Sequence, residues 1–200
     1  DGIYVANFND PSNIVIGGLG AGEANLIAEN GSDGVVSVRS GAGDEVLGNT
    51  VRDNSGYGLD SSTNGLLVAG NYFVDNASGV ILSDDTSGPS ANDNDFLHNT
   101  VHGALSGPGI TVAGLGANLR NNIVTGNATY GIYVSTGTMT ESHNNVTDAS
   151  TNPSNGSGRS NVSLDATDLN VDPLFVDSGN GDLSLTECTS PCINVGLDLG

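Results

Sequence analysis

One hexad constrains this chain more than any other feature: asparagine, any residue, an apolar residue, two further residues, asparagine. It reads NLIAEN (Asn25 to Asn30), NTVRDN (Asn49 to Asn54), NYFVDN (Asn71 to Asn76), NDFLHN (Asn94 to Asn99) and NIVTGN (Asn122 to Asn127). A sixth copy, NNVTDA (Asn144 to Ala149), lacks the last asparagine. Successive copies start 24, 22, 23, 28 and 22 residues apart. A fixed period in this range is the mark of a solenoid. A second motif follows each hexad: a glycine, then alternating apolar and small residues. It is GIYVAN from Gly2, GVVSVRS from Gly34, GLDSS from Gly58, GVILSDD from Gly79, GALSG from Gly103 and GIYVSTG from Gly131. Alternation is strand periodicity. A further short strand fits between, as in NIVIGG from Asn13, GLLVAG from Gly65 and GITVAG from Gly109.

These patterns predict an all-β fold, a β-solenoid of about six coils. Each coil buries a stripe of Val, Ile, Leu and Phe and pairs its backbone with the coils above and below, about 4.8 Å away. Asparagines repeated at one position stack into a hydrogen-bonded ladder and tolerate left-handed corners. The hexad's apolar residue (Ile27, Val51, Phe73, Phe96, Val124, Val146) is expected to form an interior stack. Composition agrees with a core of small residues. Of 200 residues, 30 are glycine, none is tryptophan, and aromatics amount to 4%. Residues 1–149 read as coils, 150–163 as a polar loop, and 164–200 as a C-terminal cap whose apolar residues cover the last coil. The first coil shows no equivalent cover, so a second copy or an upstream domain is an expected neighbour there. The chain begins at Asp1 and reads as a mature chain or an excised segment.

Four arginines stand against 23 acids, for a net charge of −19 at pH 7. Nucleic acid and anionic membrane need a basic patch, so neither is an expected partner. No apolar run reaches the roughly 18 residues of a membrane helix.

The stretch IGGLGAGEANLIAEN (Ile16 to Asn30) and the tail DPLFVDSGNGDLSLTECTSPCINVG (Asp172 to Gly196) resemble right-handed parallel β-helix proteins of the pectate-lyase-like superfamily, of the bacterial secreted type. The resemblance implies that the solenoid is a single-stranded right-handed parallel β-helix, and it implies export to the cell surface or medium. It names no activity, because the superfold hosts lyases, hydrolases, epimerases, adhesins and structural modules.

Aligning the glycine-led strands brings Arg39, Asp60 and Asp84 onto successive coils and Tyr57, His102 and Tyr130 onto one corner. A uronate lyase or C5-epimerase needs such groups: a cation against the sugar carboxylate, a base for the C5 proton, and a donor to the leaving oxygen. YGLD (Tyr57 to Asp60) resembles a phrase of alginate epimerases, but Ser61 and Ser62 stand where proline and histidine should follow. The hexad's fifth residue gives a second row, Glu29, Asp53 and Asp75. Such a row binds a hard cation such as Ca²⁺ or stays a solvated acidic face. Cys188 and Cys192 are too few for a metal site; in an exported protein they are expected as a short disulfide in preference to free thiols. The leading functional expectation is an exported surface, adhesive, scaffold or polysaccharide-recognising module. The alternatives are a polysaccharide lyase or C5-epimerase, and a filament subunit stacked end to end.

Overall fold

The computed structural model describes residues 1–6, 13–38, 43–83, 94–148 and 166–198. Six rungs of short parallel strands follow one another. Rung 1 holds β1 (Ile3–Ala6), β2 (Val15–Gly17) and β3 (Leu26–Ala28). Rung 2 holds β4 (Val35–Val38), β5 (Glu45–Leu47) and β6 (Thr50–Arg52). Rung 3 holds β7 (Tyr57–Ser62), β8 (Leu67–Ala69) and β9 (Tyr72–Val74). Rung 4 holds β10 (Ser78–Ser83), β11 (Asn94–Leu97) and β12 (Thr100–His102). In rung 5, β13 (Ile110–Arg120) runs through two faces before β14 (Ile123–Thr125). Rung 6 repeats this with β15 (Ile132–Ser142) and β16 (Asn145–Val146). Among the described residues there is no α-helix. This is a right-handed parallel β-helix.

Register carries the sequence period into three interior columns. Ile3, Val35, Leu59, Val80, Ile110 and Ile132 stack on the first face. Ile16, Val46, Val68, Phe96 and Leu119 stack on the second. Ile27, Val51, Phe73, Val101, Val124 and Val146 stack on the third. Most are fully buried. Each such side chain contributes about 1.5–3 kcal/mol of transfer free energy.

The asparagine ladder runs through all six rungs at the corner between the second and third faces. Asn25, Asn49, Asn71, Asn99 and Asn122 each donate both backbone N–H and Nδ2 to Oδ1 of the next asparagine, at 2.8–3.4 Å. From the second asparagine on, Nδ2 also reaches a carbonyl of the rung below, as Asn99 reaches Val68 O at 2.9 Å. A second ladder joins Asn30, Asn54 and Asn76. It breaks at Ala104, whose N–H donates to Asn127 Oδ1.

The ladder corrects the fourth hexad. The copy in register with NYFVDN is NTVHGA (Asn99 to Ala104), since Phe73 pairs Val101. Phe96 therefore belongs to the second interior column, and its ring stacks across the core on Phe73 of the third column, with ring centroids 6.1 Å apart. The glycine-led strand of rung 5 likewise begins at Gly109, whose N–H donates to Tyr130 O. Gly103 opens a turn instead of a strand.

The segment 164–200 is expected to cover the last coil, and the structure describes its residues 166–198. Leu169 bridges Asn145 as a short continuation of the third face, and Val171 and Cys192 also hydrogen-bond the Asn145 side chain of the last coil. The remainder, an arm over 171–198, turns back along the flank. It contains a small antiparallel pair, β17 (Phe175–Asp177) and β18 (Asp182–Leu185). Phe175 stands edge-on to His102 of rung 4, with ring centroids 5.6 Å apart. Asn121 exchanges two hydrogen bonds with Leu197, at 2.8 and 2.7 Å. Leu183 is the arm's buried aliphatic residue. The expected polar loop over 150–163 lies outside the described residues.

Candidate functional site

The expected catalytic group separates into two places. Tyr57 opens β7, and its N–H donates to Asp33 Oδ1 at 2.6 Å. Asp60, three residues on, pairs with Val36 below and Ile81 above on the first face. Burial, with Asp60 and Asp33 adding their charge, pushes the Tyr57 hydroxyl above its usual range. Burial, then Asp33, pushes the Asp60 carboxyl up as well. Tyr57 thus holds its proton at neutral pH and can donate one, whereas a tyrosinate base is disfavoured. Tyr130 shares this corner but belongs to rung 6, and its ring stacks on Tyr133 at 5.6 Å.

His102 is not on that corner. It belongs to β12 on the third face, where Nδ1 meets Thr125 O at 3.1 Å and the ring lies against Phe175. The shift follows from the corrected register of rungs 4 and 5: with Gly109 as the leading glycine, Pro108 takes the corner place assigned to His102. Arg39 and Asp84 lie outside the described residues.

The acid row also has a different origin. Glu29, Asp53 and Asp75 all occupy left-handed backbone, with φ of 58°, 56° and 52°. Gly103 and Gly126, both at φ 71°, fill the equivalent corner in rungs 4 and 5. Aspartate tolerates this region better than most residues, so at Asp53 and Asp75 the corner itself favours the residue found. Asp53 is engaged by Arg52 in an ion pair. Among the described residues no three His, Cys, Asp or Glu side chains come together to hold a metal.

Cys188 and Cys192 are free thiols, so the expected disulfide is not formed in the structure. Cys188 is exposed, in left-handed backbone at φ 61°. Cys192 is turned inward, where Asn145 Nδ2 donates to its Sγ at 3.1 Å. Burial pushes its thiol pKa up, partly offset by hydrogen bonds from Asn145 and Ser190.

One cavity among the described residues involves none of the expected catalytic residues. It is a cleft of about 670 Å³ between the third face at rungs 2 and 3 and the arm. Arg52, Asp53, Tyr72 and Asp75 line one wall, and Asn180 and Asp182 the other. Tyr72 projects outward from β9, 41% exposed. Ser184 donates its N–H to Asp182 Oδ1 at 3.0 Å, and hydrogen bonds from Ser184 hold that carboxyl below its usual range. Asn180 is steadied by donating Nδ2 to Asp177 Oδ2 at 2.7 Å. Sequence reading missed this cleft because it placed the arm over the end of the stack. The polar turn GNGD (Gly179 to Asp182) was the available signal.

A six-rung parallel helix with a buried asparagine ladder and a side-docked arm defines a β-solenoid protein. The chain matches the family described as the right handed beta helix region over residues 1–147, and it belongs to that family. No curated protein and no solved structure matches it significantly.

Proposed function

We propose that this protein is an exported β-helix module that recognises polysaccharide on its flank, serving as a surface, adhesive or scaffold domain. The observation that carries this reading is the cleft between β6, β9 and the arm. Its volume of about 670 Å³ is of the size that takes small ligands and short polymer segments. An exposed tyrosine face offers a stacking platform, and carboxylate, guanidinium and amide groups around it offer hydrogen bonds. The rigid rungs hold one wall while the arm supplies the other.

The alternative, a lyase or C5-epimerase acting on uronate glycans, draws less support. Tyr57 and Asp60 stand together, but His102 sits on another face. An acidic protein also repels an acidic polymer unless cations mediate.

The test is calorimetric titration with defined oligosaccharides, alongside an ultraviolet screen for unsaturated products from alginate and pectate, with and without calcium. Saturable binding that weakens in Tyr72→Ala, with no new absorbance, is expected. Turnover of a uronate polymer would overturn the module reading in favour of the enzyme. Failure of every oligosaccharide to bind would overturn the glycan reading.

A further inference from the structure

From the same cleft we infer the class of sugar: a glycan bearing free amino groups, bound as its ammonium form between Tyr72 and the carboxylates of Asp75 and Asp182. This rests on the glycan-binding reading above and adds a sign of charge to it.

Four charged side chains line the cleft: Asp53, Asp75, Asp182 and Arg52. Arg52 is committed to Asp53, its neighbour in sequence. Among the described residues Asp75 and Asp182 have no cationic partner. They face the space from opposite sides, one from a rung corner and one from the arm. Asp182 is held ionised by Ser184. The exposed ring of Tyr72 stands beside them and attracts a cation through its face. The surrounding field has the same sign, since the whole chain carries −19. A uronate would meet a net negative field, a neutral sugar would draw nothing from that field, and an aminosugar is attracted by it.

The glycan preference over other cations comes from shape. The aromatic wall and the Asn180 amide suit a flat, hydroxyl-rich ring. A flexible polyamine would use the charge alone.

The experiment is calorimetric titration of the whole protein with β-1,4-linked glucosamine oligomers, their N-acetylated counterparts, neutral gluco-oligomers of equal length, and oligolysine of equal charge. The free-amine oligomer is expected to bind about tenfold tighter than the acetylated one at low ionic strength, with the preference shrinking to about twofold in roughly 1 M salt. Asp75→Asn and Asp182→Asn should each remove most of that preference. Asparagine keeps the left-handed corner at residue 75 and an acceptor for Ser184 at residue 182. Tyr72→Ala should weaken every oligosaccharide. Equal binding of acetylated and free-amine oligomers, insensitive to salt, overturns the inference and leaves the glycan reading standing. Oligolysine binding as tightly as the aminosugar overturns it too. Absence of binding by any oligosaccharide overturns the inference together with the reading beneath it.

Discussion

Asn144 ends its ladder on Asp168: its backbone N–H and its Nδ2 both donate to Asp168 Oδ1, at 2.7 and 3.4 Å. An asparagine there would need a further rung to receive its own Nδ2 donors. A carboxylate accepts from below and asks for nothing above. Asp168→Ala leaves the Asn144 N–H without this acceptor and is expected to cost about 1–3 kcal/mol. Hydrogen exchange should show the loss at Asn144 to Val146, with rungs 1 to 3 unchanged.

Within the ladder the cost rises. Asn99 is almost completely buried, accepts from Asn71 N–H and Nδ2, and donates to Val68 O. Asn99→Ala strands several of these groups and is expected to cost about 2–4 kcal/mol in chemical unfolding. Thr136→Ala, at an exposed position, should stay within about 0.5 kcal/mol of the parent.

Gly48 sits at φ 65°, and a Cβ there would lie 2.2 Å from the Gly18 carbonyl oxygen. The neighbouring rung's backbone cannot move aside cheaply. Gly48→Ala should destabilise by at least about 2 kcal/mol, read as a fall in the denaturant midpoint. Rungs 4, 5 and 6 fill the same left-handed corner with His98, Asn121 and His143.

Asp60 gives the pH dependence. Its pKa is raised in the folded chain, chiefly by burial. Near pH 3, roughly, most of the carboxyl is protonated whether the chain is folded or not, and Asp60 contributes little. As pH climbs, the unfolded chain ionises first, so stability falls until the folded carboxyl has ionised too. Asp60→Asn should melt above the parent at neutral pH and converge with it in acid. A melting-temperature series across that range checks the sign.

The two thiols should differ in reactivity. Cys188 is exposed and Cys192 is held inward with a raised pKa. Alkylation of the native protein should label Cys188 first, and peptide mapping would show the order. A protein with no thiol to titrate would instead carry the bridge expected from its sequence.

The fold was legible because Asn25, Asn49 and Asn71 recur at nearly one period, and a buried amide ladder demands such recurrence. Rung 4 was misaligned for a physical reason. Asn94 opens β11 and Asn99 sits at the corner that follows, five residues on, and NDFLHN and NTVHGA overlap on Asn99. Only backbone pairing distinguishes which asparagine continues the ladder. That slip moved Phe96 between columns and carried His102 to the wrong face. The acid row was visible, but its residue types answer to left-handed corners as well as to cations. The cleft was not visible, because the arm docks through a few contacts at Phe175, Leu183 and Leu197 that leave no periodic trace.

The central claim is that recognition takes place where Tyr72 faces the arm. Hydrogen–deuterium exchange of the whole protein with and without saturating glucosamine oligomer tests it most directly. Slowed exchange in peptides covering residues 72–75 and 179–184, with the first face unaltered, is the expected result. Slowing confined to residues 57–62 and 130–134 would put the ligand beside Tyr57 and contradict the account.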